Sequence, residues 1–329
     1  MKRLVLAAAV TAGLGLWAGP GAGDGVTAET PRKVSIVTMS DTPQLVEVRD
    51  GVIEGLKNHG WVAGGNVAID FKSAQGNFAT AQQIVRQFVG DRPDVIVAIT
   101  TPASEAAVAA TRDIPIVFTT VTDPLKAKLV PAVRHPGGNV TGISDLVPTR
   151  PQLDLVKTIV PNLKTLGLLY DPSLPNAVST AESIKALAPA MGFTTAEATA
   201  MGLNNVPSAA RSLVGRVDAI FVPNDTTVYA AFESVVKVCQ DAKVPLFSAE
   251  RRSVQRGAIG TVGFDFKDMG VRTAAIVDKV LRGAKPGDLD VAFMDAVPDA
   301  LGLYLNNDSA AKMGVTLPPE LLNKAAHVF

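Results

Sequence analysis

Asp94-Val95-Ile96-Val97-Ala98-Ile99-Thr100-Thr101-Pro102 decides the fold: an unbroken apolar run enters a small polar turn, and an Ala-rich helical segment follows to Thr111. An apolar run without alternation suits a strand buried on both faces, as in a parallel sheet covered by helices. Ile114-Pro115-Ile116-Val117-Phe118 supplies the next strand. The same order recurs downstream. Asp218-Ala219-Ile220-Phe221-Val222 runs into an Asn-Asp-Thr-Thr turn, an Ala/Val-rich helix and then Val244-Pro245-Leu246-Phe247. Asp94 to Pro115 is 21 positions and Asp218 to Pro245 is 27, a difference of about two helical turns. The repetition predicts two similarly wound α/β lobes rather than one large sheet.

Working outward, strands are expected at 34–38, 67–71, 95–99, 116–118 and 140–143, separated by helices at 44–58, 80–89 and 103–111. The turn Pro136-Gly137-Gly138-Asn139 closes this half, and the pattern restarts after residues 145–151. Helices at 152–160, 176–189, 206–214 and 227–242 then alternate with strands at 165–170, 194–198, 219–222, 245–248 and 259–262. A helix at 268–281, strands near 291–295 and 301–305, and a helical pair from Asp308 complete the chain. The expected division is 33–147 plus about 268–293 in one lobe, and 148–267 plus about 294–329 in the other.

Composition narrows the function. Lys and Arg total 31 against 31 Asp and Glu, so there is no basic field of the kind that nucleic acid selects. Hydrophobic residues make up 47% and charged residues 19%, which excludes a disordered polar chain. Cys239 is the only cysteine, so intramolecular disulfides and thiolate zinc clusters are excluded; it sits in an apolar helix and is expected to be buried. Lys2 and Arg3 precede an apolar run from Leu4 to Trp17 and a Gly/Ala/Pro stretch, the order of parts in a secretory signal. That run is shorter than a bilayer span requires. Cleavage is expected after Gly23 or Ala28, and no cysteine is placed for lipid attachment. Loss of residues 1–28 removes Lys2, Arg3 and Asp24, leaving a mildly acidic exported protein.

The loops after the expected strands are small and polar: Ser40-Asp41-Thr42, Thr100-Thr101-Pro102, Thr122-Asp123-Pro124, 171–176, Asn224-Asp225-Thr226-Thr227, 248–252 and Gly263-Phe264-Asp265. Parallel strands turn their carboxyl ends toward a ligand crevice. Two facing lobes would thus surround a small molecule with hydroxyls, carboxylates and helix N-termini. Each loop also has a plainer role, because Ser, Thr, Asp and Asn after a strand cap the next helix. Thr100-Thr101-Pro102 is suited to a ligand carboxylate, with Pro near a helix start and the helix dipole behind it. Asp123 and Asp225 are candidates to pair with an ammonium group. Of the adjacent Arg251 and Arg252, either one enters the cleft as a carboxylate clamp while the other points away, or both are solvated.

Enzyme signatures are missing. The chain has no Gly-rich phosphate loop, no Gly-x-Gly-x-x-Gly after a strand and no serine nucleophile elbow. His59, His135 and His327 fall at a helix end, a turn and the C-terminus, none placed as a general base. No cofactor and no metal are expected.

Gly51-Val52-Ile53-Glu54-Gly55-Leu56-Lys57, Asn77-Phe78-Ala79-Thr80-Ala81 and the stretches 94–102, 114–124, 136–145, 217–227 and 257–270 run in order along nearly the whole mature chain. Thr122-Asp123-Pro124 followed by Pro136-Gly137-Gly138-Asn139-Val140-Thr141-Gly142 is the most specific pair. Together they resemble the extracytoplasmic solute-binding proteins of ATP-binding-cassette importers, in the family associated with tryptophan and other aromatic amino acids.

The resemblance implies a type I periplasmic binding fold: two Rossmann-like doubly wound lobes with parallel sheets, joined by three hinge crossings and closing on a ligand. It implies a monomeric, non-enzymatic protein of the periplasm that hands a small carboxylate-bearing ligand to a membrane permease. The ligand's charged groups would be held by Thr100, Thr101, Ala103, Thr122, Asp123, Asn224, Asp225 and Thr226. Ser40, Asp41, Thr42, Asp171 and Asn176 would shape the pocket, and Glu250, Arg251 and Asp265 complete the candidate set. The chain departs from the family where it reads Ala249-Glu250-Arg251-Arg252-Ser253 in place of an Asp-Thr-Gly-Ser-like sequence, and also in the 40–43 and 171–176 loops. An additional arginine favours an aromatic or keto acid without an ammonium group. Two other readings stay open: a periplasmic sensing domain lacking its own DNA-binding segment, and an exported enzyme built on Asp123, Asp225 and Glu250.

Overall fold

The computed structural model describes residues 30–298 and 300–329; the export segment read at residues 1–28 lies outside them. The first half of the described chain runs β1 (Arg32–Thr38), α1 (Pro43–Asn58), β2 (Val67–Ser73), α2 (Phe78–Asp91), β3 (Val95–Ile99), α3 (Thr101–Ala110), β4 (Ile116–Val121) and β5 (Val140–Ser144). The second half runs α4 (Thr149–Ile159), β6 (Thr165–Tyr170), α5 (Pro175–Leu187), β7 (Thr194–Thr199), α6 (Val206–Leu213), β8 (Ala219–Val222), α7 (Thr226–Ala230), α8 (Phe232–Ala242) and β9 (Leu246–Ser248). The chain ends with α9 (Arg251–Gln255), β10 (Gly260–Gly263), α10 (Phe266–Leu281), β11 (Ala292–Phe293), β12 (Gly302–Leu305), α11 (Asn307–Lys312), α12 (Pro319–Lys324) and β13 (His327–Val328).

The strands form two parallel sheets, ordered β11-β5-β4-β3-β1-β2 and β7-β6-β8-β9. The run at Val95–Ile99 shows why no alternation is needed. Val95, Val97 and Ile99 join the core beneath α1 and α10, while Ile96 and Ala98 join the core beneath α2 and α3. In each sheet the winding reverses beside the first strand: β1 lies between β2 and β3, and β6 between β7 and β8. Open parallel sheets bind ligands at such reversals, outside the strands' carboxyl ends. Topology thus marks the loops after β1, β3, β6 and β8. The described chain passes between the sheets at residues 145–148 and 264–265, and again in the segments 294–298 and 300–301.

Helix α10 returns from β10 to the first sheet and lies directly on α1. A Cβ on Gly51 would stand 2.2 Å from the Lys267 carbonyl oxygen, and one on Gly270 would stand 2.2 Å from that of Val48. The two backbones touch, and only glycine allows the approach.

Four local features differ from the expected pattern. Helix α3 starts at Thr101, two residues before position 103, so Thr101 belongs to its first turn. The helix expected over 227–242 breaks at Ala231, where the Tyr229 carbonyl accepts Arg256 Nη2 at 2.8 Å. The strand expected at 259–262 leaves the parallel sheet: β10 pairs antiparallel with β12, and β13 adds alongside β12. A buried apolar run does not distinguish these two pairings. Finally, residues 251–255 form the short α9, whose first turn is capped by Glu250.

Candidate ligand cleft

The two reversal points face each other. Between them lies a narrow cavity with ≈ 30 Å³ of free space. The first lobe contributes Gln44, Leu45, Thr100, Pro102 and Thr120; the second contributes Asn176, Asn224, Asp225, Thr226 and Tyr229; Asp145 comes from the first crossing and Phe266 from the start of α10. Pro102, Thr226 and Tyr229 also border a wider outer groove of ≈ 770 Å³, lined by Ser40, Asp41, Thr42 and Asp171.

Five atoms of the inner cavity are buried without a hydrogen-bond partner: Gln44 Oε1, Thr100 Oγ1, Thr120 Oγ1, Asp145 Oδ1 and Asn176 Oδ1. Buried polar atoms are nearly always paired, so such a concentration marks a place where a ligand completes the bonding. Ser40 Oγ, Thr42 Oγ1 and Thr101 Oγ1 are also unpartnered nearby. Two cavity threonines carry backbone strain, Thr100 at φ 91° and Thr120 at φ 56°. For a β-branched residue that region is costly, and such strain concentrates at binding sites. Thr120 owes its position to an irregularity in the β4–β5 pairing between Phe118 and Val121.

The carboxylates divide by use. Asp225 caps α7, accepting the Val228 N–H at 2.8 Å and the Asp171 N–H at 2.6 Å; burial nevertheless pushes its carboxyl up to about 7. Asp171 accepts from Ser173 N, Ser173 Oγ and Thr227 Oγ1. Asp123 closes its own turn through the Leu125 and Lys126 amides and faces Ser179 Oγ across the cleft. Asp41 is held by Gln75 Nε2. Glu250 caps α9, and burial raises its pKa. Asp265 caps α10. Asp145 is different: Oδ1 has no partner and Oδ2 lies 3.4 Å from Asn224 Nδ2. Burial pushes Asp145 up to about 6, against the pull of the Thr122 hydroxyl.

Of the residues named from sequence, Thr100, Asn176, Asn224, Asp225 and Thr226 meet in the inner cavity, and Ser40, Asp41, Thr42 and Asp171 line the outer groove. The Thr122 hydroxyl accepts from Asn224 Nδ2 at 3.4 Å. Ala103 packs into the core of the first lobe, away from the cavity. Neither disposition expected for Arg251 and Arg252 is found: both reach Glu47 of the first lobe, and Arg251 also pairs with Asp265 at 3.1 Å. Gln44, Leu45, Thr120, Asp145, Tyr229 and Phe266 were not among the residues named. Asp145 carried a signal, since it follows a strand at the first crossing; Thr120, inside an apolar strand, carried none.

The lobes touch at several points. Lys126 meets Glu182 at 3.2 Å, Ser179 Oγ lies 3.4 Å from Asp123 Oδ2, and Asn224 bridges to Thr122 and Asp145. Among the described residues, no cluster of three or more His, Cys, Asp or Glu is placed to hold a metal ion, and no helix is long and apolar enough to cross a membrane.

Comparison with known proteins bears on this geometry. A family profile described as "ABC transporter substrate binding protein" matches residues 33–329. The tyrosine-binding protein of Clostridioides difficile (strain R20291) is 34% identical over 303 residues, covering 89% of this chain and 88% of that protein. A solved ABC domain in complex with L-Trp from Streptococcus pneumonia is 33% identical, with a TM-score of 0.87 over 91% of this chain and 100% of its own. The ligand-free, open structure of a substrate binding protein with adhesive properties from Clostridium difficile is also 33% identical, with a TM-score of 0.69 over 90% and 99%. At equal identity, the chain as a whole superposes more closely on the L-Trp complex than on the ligand-free, open structure. The fold is that of type I periplasmic binding proteins.

Proposed function

Because this chain belongs to the ABC transporter substrate-binding protein family, we propose that it captures an aromatic amino acid between its lobes and delivers it to the membrane permease of an importer. The observation that carries this reading is the set of five unpartnered polar atoms in a cavity whose apolar wall is Leu45, Pro102, Tyr229 and Phe266. Polar groups fix the charged end of such a ligand, and the apolar wall receives its ring. Relatives that bind tyrosine and L-Trp support the ligand class.

Thr100, Thr101 and Thr120 offer hydroxyl donors beside the first turn of α3, where the helix dipole favours a carboxylate. Arg251 does not serve as the carboxylate clamp in this reading, because Glu47 and Asp265 occupy it. Residues 33–147 with about 268–293, and 148–267 with about 294–329, move as two bodies on the three crossings. The protein works outside the cytoplasm as a monomer, exported by residues 1–28 and needing no cofactor.

Thermal-shift screening followed by calorimetry with L-Tyr, L-Trp and L-Phe tests the reading, since ligand that binds only the folded state raises the unfolding midpoint. Thr101→Val should weaken binding by about 1–3 kcal/mol. A midpoint unmoved by all three amino acids would sink it.

A further inference from the structure

We propose that Asp145 selects the ligand by its amine: the carboxylate receives the ligand's ammonium, so the cleft takes aromatic amino acids and rejects the same acids lacking the amino group. This rests on the cleft assigned under the proposed function and names what that cleft requires.

The argument is a census of donors and acceptors. Asp145 is 3% exposed and, among the described residues, belongs to no ion pair; the nearest arginine along the cleft wall, Arg251, is held by Glu47 and Asp265. Its Oδ1 is joined in the same cavity by Asn176 Oδ1 and Gln44 Oε1, both unpartnered. The free end of Asn176 is fixed as oxygen, because its Nδ2 donates to the Asn224 carbonyl at 2.6 Å. Asp145 Oδ1 and Asn176 Oδ1 therefore stand as fixed acceptors toward the cavity, Gln44 Oε1 joins them, and the buried side-chain atoms left unpartnered there include no nitrogen. Threonine hydroxyls can turn either way, but amide and carboxylate oxygens cannot donate. A ligand that balances this set brings several N–H donors on one atom, and an ammonium brings three.

The other buried carboxylates of the cleft offer no such vacancy. Asp225 already accepts two backbone amides and Glu250 accepts from Arg252 and Ser253. Asp145 also sits where chemistry can act on closure. It is the first residue of a crossing, and Asn224 of the second lobe reaches its Oδ2. An acid without an amine leaves the three acceptors buried and unpaired, a mismatch that polar sites reject far more strongly than a change in apolar size.

The test is isothermal calorimetry of the full chain with L-Trp and L-Tyr against 3-indolepropionate and 3-(4-hydroxyphenyl)propionate, for the wild type and Asp145→Asn. The amino acids should bind the wild type at least about 30-fold more tightly than their desamino counterparts, the scale of a buried charge pair losing one partner. Asp145→Asn should erase that preference, weakening the amino acids while leaving the desamino acids equal or tighter. A structural role alone would weaken both classes together. Wild-type protein that binds both classes equally, or a variant that keeps the preference, overturns the assignment and leaves the proposed function standing. Binding of neither class overturns both. If Asp145→Asn does not fold, the wild-type ratio still tests the need for an amine and Asp145→Glu, which keeps the charge but moves it, should lower that ratio.

Discussion

The Glu47 carboxylate in α1 lies 3.3 Å from Arg251 Nη2 in α9, so a charge in the first lobe is paired with one in the second. Arg252 reaches the same carboxylate, and Asp265 takes the other side of Arg251. The Glu47 side chain is 17% exposed and the two arginines 20% and 29%, so water screens these pairs less than it screens surface ion pairs. They form only when the lobes are together, which makes them a term in the closing equilibrium rather than in either lobe's folding. Glu47→Gln should therefore weaken ligand binding about 5- to 30-fold, a loss of roughly 1–2 kcal/mol of closure. Calorimetry reads the affinity, and small-angle scattering should show a larger radius at partial saturation. Equal affinity of the two proteins at low salt would remove Glu47 from the closing equilibrium.

Thr100 shows strain and function in one residue. Its φ of 91° and ψ of 156° lie in a region that glycine occupies freely. Thr100→Gly should relieve about 1–3 kcal/mol of strain, partly offset by the entropy of a glycine in the unfolded chain. The hydroxyl facing the cavity is lost with it. The ligand-free midpoint should rise while affinity for L-Trp falls several-fold, a separation that thermal scans with and without ligand display directly. Loss of both together would show that the strained backbone is not what holds stability down.

Legibility in the sequence followed the range of each interaction. Val95–Ile99, Thr165–Tyr170 and Ala219–Val222 coincide with the strands expected from sequence, because a strand buried on both faces imposes apolarity on every position. Asn224, Asp225 and Thr226 were reachable for the same reason, since strand order places their loop at a reversal. Asp145 looks like any aspartate after a strand; only its burial without a cation sets it apart. Thr120 depends on a pairing irregularity that no local signal announces. Glu47 belongs to a helix that packs on its apolar side, and α9, which reaches it, is five residues long, too short for periodicity to reveal.

Gly270 tests the seam between α1 and α10. A methyl group there would stand 2.2 Å from the Val48 carbonyl oxygen and 2.9 Å from Gly51 Cα, atoms of a rigid helix that cannot turn aside. Gly270→Ala should raise the intrinsic helix propensity of α10 yet destabilise the protein by about 1–3 kcal/mol through overpacking. Denaturant unfolding measures the balance. A variant as stable as the wild type would mean that the helices separate without cost.

Acid pH should affect the empty and the loaded protein in opposite senses. Burial raises Asp145 to about 6 and Asp225 to about 7 from 3.8. The ligand-free fold therefore binds these protons more tightly than the unfolded chain does. Their contribution to stability is fully present below the unfolded value and is lost as pH rises through 6 and 7. Between pH 5 and pH 8 the ligand-free midpoint should fall, and Asp145→Asn should flatten the lower part of that window. An ammonium on Asp145 instead requires the carboxylate, so the ligand-induced rise in midpoint should shrink as pH drops below about 6 and should lose that dependence in Asp145→Asn. Thermal scans from pH 5 to pH 8, with and without L-Trp, read both slopes. A ligand-free midpoint that climbs across this window would contradict the burial argument, and a ligand shift with the same pH profile in both proteins would take Asp145 out of the binding step.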